Sequence, residues 1–238
     1  MGRSTENGAG FVQRLWADAN GHFDEVADLA KKDEKTVDLY IYSQVSERHD
    51  KETKVVTAED FRSQLAEAGE IDTICIYINS NGGSVKEGIA IYSQLMRHNA
   101  KKIVYIDGFA CSIASVIAMC GDEVHMSNCS TMMIHNAMSI AWGNAEELRH
   151  EADILDTITA NIKNAYMDKS NGKIDFQKLT EMMDAETALS AADCLQYGFI
   201  DVIDKKDSGK PEPKPPEKNV ADQIFGSIYN KTIEKIRL

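Results

Sequence analysis

The sequence predicts an α/β protein in which a largely parallel sheet is buried by helices. Two observations lead there. Between residues 36 and 204, strand-like apolar runs alternate with segments of helical periodicity, and strands separated by helices pair in parallel through right-handed crossovers. The chain has 238 residues and 43 % hydrophobic content, enough for one sizeable core with short appendages.

The elements follow in order. Asp38–Ser43 (DLYIYS) reads as a strand. Thr57–Ala68 reads as a helix, because Thr57 and Asp60 have capping-box spacing and Gly69 is a stop signal. Ile71–Asn79 is a β-prone apolar run, and residues 84–98 form a helix started by Ser84 and Glu87, with Ile89, Ile91, Tyr92 and Leu95 on its buried face. Lys102–Asp107 is the next strand, and Ser112–Cys120 fits a short buried helix ended by Gly121. Strands at Glu123–Ser127 and Thr131–His135 precede a strand-like Ser139–Trp142 and a long helix over 145–168. Two shorter helices, Asp175–Met183 and Ser190–Tyr197, precede a closing strand Phe199–Ile203; Ser190 and Asp193 share capping-box spacing and Gly198 ends that helix.

This body, residues 36–204, is flanked by segments of different composition. Residues 1–35 form a polar arm, weakly helical or mobile, with scattered apolar anchors such as Phe11, Leu15, Trp16 and Phe23. All four prolines (Pro211, Pro213, Pro215, Pro216) fall in a Lys- and Glu-rich stretch, 205–219, expected to be a linker. Beyond it, residues 220–238 carry Val220, Ile224, Phe225, Ile228, Tyr229, Ile233 and Ile236 at helical spacing, so an amphipathic helix is expected.

Charge and cysteine usage exclude several classes of function. A net charge of −12, with both signs intermixed, speaks against nucleic-acid binding. The five cysteines (Cys75, Cys111, Cys120, Cys129, Cys194) are odd in number and include no C-x-x-C pair, so neither a disulfide framework nor a metal site is expected. Without a long apolar run or a signal-peptide layout, a soluble, unexported, cytoplasmic protein is expected, with no membrane partner. No P-loop or G-x-G-x-x-G fingerprint is present, and no cofactor is implied.

Chemistry in such sheets gathers beyond the carboxyl ends of the strands. Two strand-to-helix turns there have suitable make-up. In Asn79-Ser80-Asn81-Gly82-Gly83-Ser84 the paired glycines leave amide N–H groups unshielded, able to hold a developing oxyanion. Alone, such a turn is simply a tight turn. In Gly108-Phe109-Ala110-Cys111-Ser112-Ile113, Ser112 opens a helix whose free N–H groups and dipole favour attack by its oxygen, and the Ile113 amide can join Gly83 as a second oxyanion donor. The plainer use of Ser112 is as a helix cap, and of Ser115 as a small packing residue.

A serine needs a base. His135 ends the apolar run Thr131-Met132-Met133-Ile134 and so arrives at a strand end, whereas His125 sits mid-strand with its ring turned to solvent. His22, His49, His98 and His150 lie in polar surroundings. The orienting carboxylate is either Asp184 or Glu186, in the loop between the two short helices. No histidine follows His150, so a Ser–Asp–His order is excluded and Ser–His–acid remains.

These residues resemble the Clp protease proteolytic-subunit family. Ile78-Asn79-Ser80-Asn81-Gly82-Gly83 resembles its INSPGG turn, Gly108-Phe109-Ala110-Cys111-Ser112 its GxAAS turn, Met133-Ile134-His135 its MIH strand, and Leu189-Ser190-Ala191 with Tyr197-Gly198-Phe199-Ile200-Asp201 its LSAxEAxxYGLxD close. The resemblance implies a Clp/crotonase-like fold of stacked ββα units. It further implies a serine endopeptidase with Ser112 as nucleophile, His135 as base, and the amides of Gly83 and Ile113 as oxyanion hole. Glu186 falls where the family has an aspartate, with Asp184 the alternative acid. Departures are Asn81 in place of the proline and a shorter stretch between Ser112 and His135. Ala110 to Ser115, Gly121-Asp122-Glu123-Val124 and Glu186-Thr187 are similar to the phage head-maturation branch, which cleaves scaffold or coat precursor inside a prohead. Homo-oligomeric rings joined through the region 139–168, a protein or peptide substrate, and a Clp ATPase unfoldase as a further partner are also implied. The competing readings are a crotonase-like acyl-CoA enzyme and a catalytically inactive ring component.

Overall fold

The protein, described here from a computed structural model, is defined for residues 30–33, 35–47 and 55–204. The expected linker 205–219, the terminal helix 220–238 and the arm 1–35 up to residue 29 lie outside the described residues. The elements are β1 (Ala30–Asp33), β2 (Thr36–Ile41), β3 (Gln44–Val45), β4 (Val55–Val56), α1 (Ala58–Ala68), β5 (Thr73–Ser80), α2 (Val85–Arg97), β6 (Lys101–Cys111), α3 (Ile113–Ala118), β7 (Glu123–Ser127), β8 (Thr131–Ile134), α4 (Ala145–Ser170), α5 (Phe176–Asp184), β9 (Thr187–Leu189), α6 (Ala191–Tyr197) and β10 (Val202–Asp204).

The sheet runs β1-β2-β5-β6-β7-β10, with β8 on β6 and β9 on β8. Its pairs are parallel except β1 with β2 and β8 with β9. This is the α/β architecture expected from the alternation of strands and helices. The long strand β6 forks: Ile103–Ile106 pair with β7, whereas Phe109–Cys111 pair with β8. At the fork the Ser130 hydroxyl donates to the Ile106 carbonyl at 2.9 Å, fastening the β7–β8 connection to β6.

Alternation along the strands sends Leu39, Ile41, Ile74, Ile76, Ile78, Val104 and Ile106 to one buried face. There they meet Ile91 and Leu95 of α2, Phe61 of α1, and α3, all six of whose residues are buried. Each such side chain contributes roughly 1.5–3 kcal/mol by leaving water. On the other face Tyr40, Tyr77, Tyr105 and His125 occupy matching positions of four adjacent parallel strands. Because neighbouring strands are about 4.8 Å apart, the rings stack with centroids 4.9, 5.1 and 4.9 Å apart.

The caps explain where the helices start. Thr57 caps α1 in a complete capping box with Asp60, and Ser190 caps α6 likewise with Asp193. Ser84 caps α2, but Glu87 does not reach back: its Oε2 accepts instead from the Ala58 N–H at 2.7 Å, capping the neighbouring helix α1. Other expectations need correction. Ser139–Trp142 forms no strand, since among the described residues nothing pairs with it, and Ile140 and Trp142 are exposed. β6 continues through Gly108 to Cys111, so the bend before α3 is confined to Ser112. The closing strand is Val202–Asp204; Phe199 and Ile200 are instead buried, with their N–H groups bonded back to Cys194. His125 is not turned to open solvent, because its ring packs on Tyr105 between Glu123 and Asp204, each 2.9 Å away.

Candidate active site

The two strand-to-helix turns come together at the carboxyl ends of β5 and β6. Ser112 has φ 55 and ψ −130, a positive-φ conformation outside the left-handed helical region and rare for a residue with a Cβ, which persists only where its surroundings hold it. They do: its N–H donates to the Met133 carbonyl of β8 at 2.8 Å, and its own carbonyl accepts from Ser115. The Ser112 hydroxyl makes no cap hydrogen bond to α3. The oxygen that the plainer reading would have spent on the helix is left facing a cleft.

The glycine turn approaches Ser112 more closely than any larger residue could. A Cβ on Gly82 would lie 2.6 Å from the Cys111 carbonyl oxygen and 2.8 Å from the Ser112 Cβ. One on Gly83 would fall 2.0 Å from the Val45 carbonyl oxygen. Both glycines have positive φ, 90 and 146. Val45 donates to the Gly82 carbonyl at 3.0 Å and accepts from the Ser84 N–H at 2.8 Å. In such a parallel bridge the N–H of the central residue, Gly83, faces away from the partner strand. The Ser80 hydroxyl, accepting from the Gly82 N–H at 3.1 Å, fixes the turn from within.

Gly83, Ser112, Ile113 and His135 line one cleft of about 70 Å³, closed by Val85, Val116, Met138 and Ile162. Among the described residues no hydrogen bond joins the Ser112 hydroxyl to the His135 ring; unliganded sites of this kind are often loose and tighten around substrate. Burial pushes the His135 imidazole below its ordinary pKa, favouring the neutral base, while the Glu186 carboxylate and the neighbouring Asn136 backbone act the other way. Glu186 is exposed, at a left-handed φ of 49, directly before β9.

The alternative acid is differently engaged: the Asp184 Oδ1 accepts from the Asn136 side-chain amide at 2.8 Å. Asn136, the residue after the histidine, was not among the sequence candidates and offers no local signal. Its Oδ1 is buried and meets no donor among the described residues. It also lines a second cleft of about 340 Å³, shared with Leu155, Thr159 and Lys163 of α4 and with Phe176. Ser115, expected to be a small packing residue, instead joins the Ser112 carbonyl and the Tyr166 hydroxyl through its own hydroxyl. Among the described residues no group of histidine, cysteine or acidic side chains could hold a metal ion, and no helix is long and apolar enough to cross a membrane.

Residues 31–207 match the family model of the Clp protease. The ATP-dependent Clp protease proteolytic subunit of Bacteroides thetaiotaomicron is 30% identical over 152 residues, covering 62% of this chain and 68% of that protein. The corresponding subunit of Pleurastrum terricola is 32% identical over 131 residues, 54% of this chain and 65% of its own. Proteolytic subunit 1 of Prochlorococcus marinus is 30% identical over 136 residues, with 56% and 69% covered.

Proposed function

The chain belongs to the Clp protease family and is a serine-type peptidase, and we propose that Ser112 is its nucleophile, His135 its general base and Glu186 the carboxylate behind that base. The Ser112 oxygen adds to the scissile carbonyl carbon and its proton passes to His135. The carbonyl oxygen, now an anion, is received by the N–H groups of Gly83 and Ile113. His135 returns the proton to the departing amine as the C–N bond breaks, and water, deprotonated by the same ring, releases the acyl group from Ser112. The observation that supports this reading is a serine hydroxyl not engaged by its helix, in one cleft with a neutral-leaning histidine and two turn amides.

Labelling by a fluorophosphonate tests it: wild-type protein is expected to label at Ser112, and Ser112→Ala to be neither labelled nor active on casein. Persistent cleavage by Ser112→Ala would overturn the assignment, and an inert wild-type protein would favour the non-catalytic ring component.

The family acts as rings on protein substrates, and the same assembly is proposed for this chain. Exposed Met138, Ile140, Trp142, Leu148 and Ile154 lie before and along the amino-terminal half of α4, where ring contacts would cover them. The finer reading is the head-maturation branch, motivated by Ala110 to Ser115 and the Glu186-Thr187 pair. Its setting would be the cytoplasm or a prohead. Cleavage of a scaffold or coat precursor by purified protein alone would support that branch. Cleavage only with a Clp ATPase and ATP would support the degradative one instead.

A further inference from the structure

Beneath the cleft lies a buried hydroxyl pair that the chemistry above does not use. Ser115 is fully buried, and its Oγ lies 2.6 Å from the Ser112 carbonyl oxygen, 3.3 Å from the Met133 carbonyl oxygen and 2.7 Å from the Tyr166 hydroxyl. Tyr166, near the carboxyl-terminal end of α4, is 1 % exposed.

The direction of these bonds follows from counting protons. Carbonyls cannot donate, so the single hydroxyl proton of Ser115 serves the Ser112 carbonyl, with the Met133 carbonyl as a longer second acceptor. Tyr166 must then be the donor to Ser115. Burial raises the phenol's pKa and keeps it protonated, as that role requires. The relay therefore runs from the Tyr166 O–H to Ser115, and from the Ser115 O–H to the carbonyl of Ser112.

That carbonyl belongs to the same planar peptide as the Ile113 N–H, and in a trans peptide the two point in opposite directions. Holding the oxygen inward therefore holds the N–H outward, and Ile113 lines the cleft. The Ser115 N–H reinforces the same oxygen at 3.0 Å, but a short helix of six residues supplies little else to fix its first peptide. We propose that Ser115 and Tyr166 are positioning residues that orient the Ser112–Ile113 peptide so that its N–H is aimed at the oxyanion, coupling the set of the hole to helix α4. This rests on the reading of Ser112 and Ile113 given above.

The test compares wild type, Ser115→Ala, Tyr166→Phe and the double variant, on a peptide substrate and on a peptide aldehyde that forms a tetrahedral adduct with the nucleophile. Loss of an oxyanion donor costs about 10²–10³ in rate; a donor still present but less well aimed should cost about tenfold to a hundredfold. The expected result is a fall of that size in kcat for Ser115→Ala with KM unchanged, and a smaller fall for Tyr166→Phe. Aldehyde affinity should weaken in parallel with kcat, while a non-reactive peptide binds as before. The double variant should be no worse than Ser115→Ala, because Tyr166 acts through Ser115.

A packing role alone would lower the melting temperature without separating kcat from KM, and its costs would add; either result overturns the proposal. Should Ser115→Ala fail to fold, Tyr166→Phe, which removes one oxygen, carries the same comparison. Failure of the underlying reading is distinguishable, since Ser112→Ala would then remain active. Failure of the proposal leaves Ser112→Ala dead and Tyr166→Phe indistinguishable from wild type.

Discussion

Replacing Gly82 by alanine should disable the site by a route that can be followed in ångströms. The new Cβ would lie 2.6 Å from the Cys111 carbonyl oxygen, 2.8 Å from the Ser112 Cβ and 3.2 Å from the Ile113 nitrogen. Ordinary contact begins near 3.5 Å, so the two turns must part by about 1 Å. Because the opposing atoms are backbone or Cβ, no rotamer change can relieve the overlap. A misplacement of about 1 Å costs on the order of 10² in rate, and the positive φ of 90 adds about 1–3 kcal/mol of backbone strain. Gly69→Ala is the control, since Gly69 has φ 71 and open space around its Cβ position, and so suffers strain alone. The assay is peptide cleavage beside thermal melting. Both variants should melt a few degrees lower, but kcat/KM should fall about a hundredfold only in Gly82→Ala. Wild-type kcat/KM in Gly82→Ala, or equal losses in both, would refute the claim that this close approach sets the geometry.

Three further outcomes are expected. Glu186→Gln removes the carboxylate that raises the His135 pKa, so the acid limb of the kcat/KM profile should move to lower pH while the plateau falls by about 10²–10⁴; Asp184→Asn should leave the limb in place, and the reverse pattern would transfer the role to Asp184. His125 is opposed by burial, yet its pKa is raised by the carboxylates of Asp204 and Glu123. Its pairing therefore stabilises the fold fully below the ordinary value of 6.5 and is lost as pH rises through the raised value. His125→Gln should thus cost more at pH about 5.5 than at about 9, by under about 1 kcal/mol after solvent screening, as read from melting curves; a cost independent of pH would dismiss the ion pairs. Ile140 is 72% exposed, and Ile140→Asp should shift sedimentation from rings toward smaller species; unchanged rings would remove this segment from the contact.

Local signals and long-range ones were unequally legible in the amino-acid sequence. Helix α1 could be read from Thr57, Asp60 and Gly69 because every determinant lies within its own span. The meeting of Ser112 and His135 in one cleft was foreseeable because Ser112 opens the helix after one apolar strand and His135 ends another, and parallel strands deliver their ends to the same side. The short strand β9 was missed because Thr187–Leu189 carries no periodicity of its own and is extended only through pairing with β8. Ser139–Trp142 misled in the opposite sense: its β-prone side chains invite a strand, but a strand requires a neighbour. Glu87 kept its capping-box spacing yet was diverted to Ala58, 29 residues away. Ser115 and Tyr166 are 51 residues apart, so nothing local hints at their bond. The choice between Asp184 and Glu186 depends on loop dihedrals, which composition does not encode.

The forked strand β6 makes the short connection from Ser127 to Thr131 a gauge. It starts where one partner of β6 stops and ends where the next begins, with Ser130 riveted to Ile106 between them. A one-residue deletion or insertion that the turn did not absorb would shift β8 by about 3.3 Å, in opposite senses, and turn every side chain on it to the opposite face. Length at this hinge is thus as much a part of the catalytic specification as the identity of any side chain. Libraries that vary its composition should yield working enzymes far more often than those that vary its span.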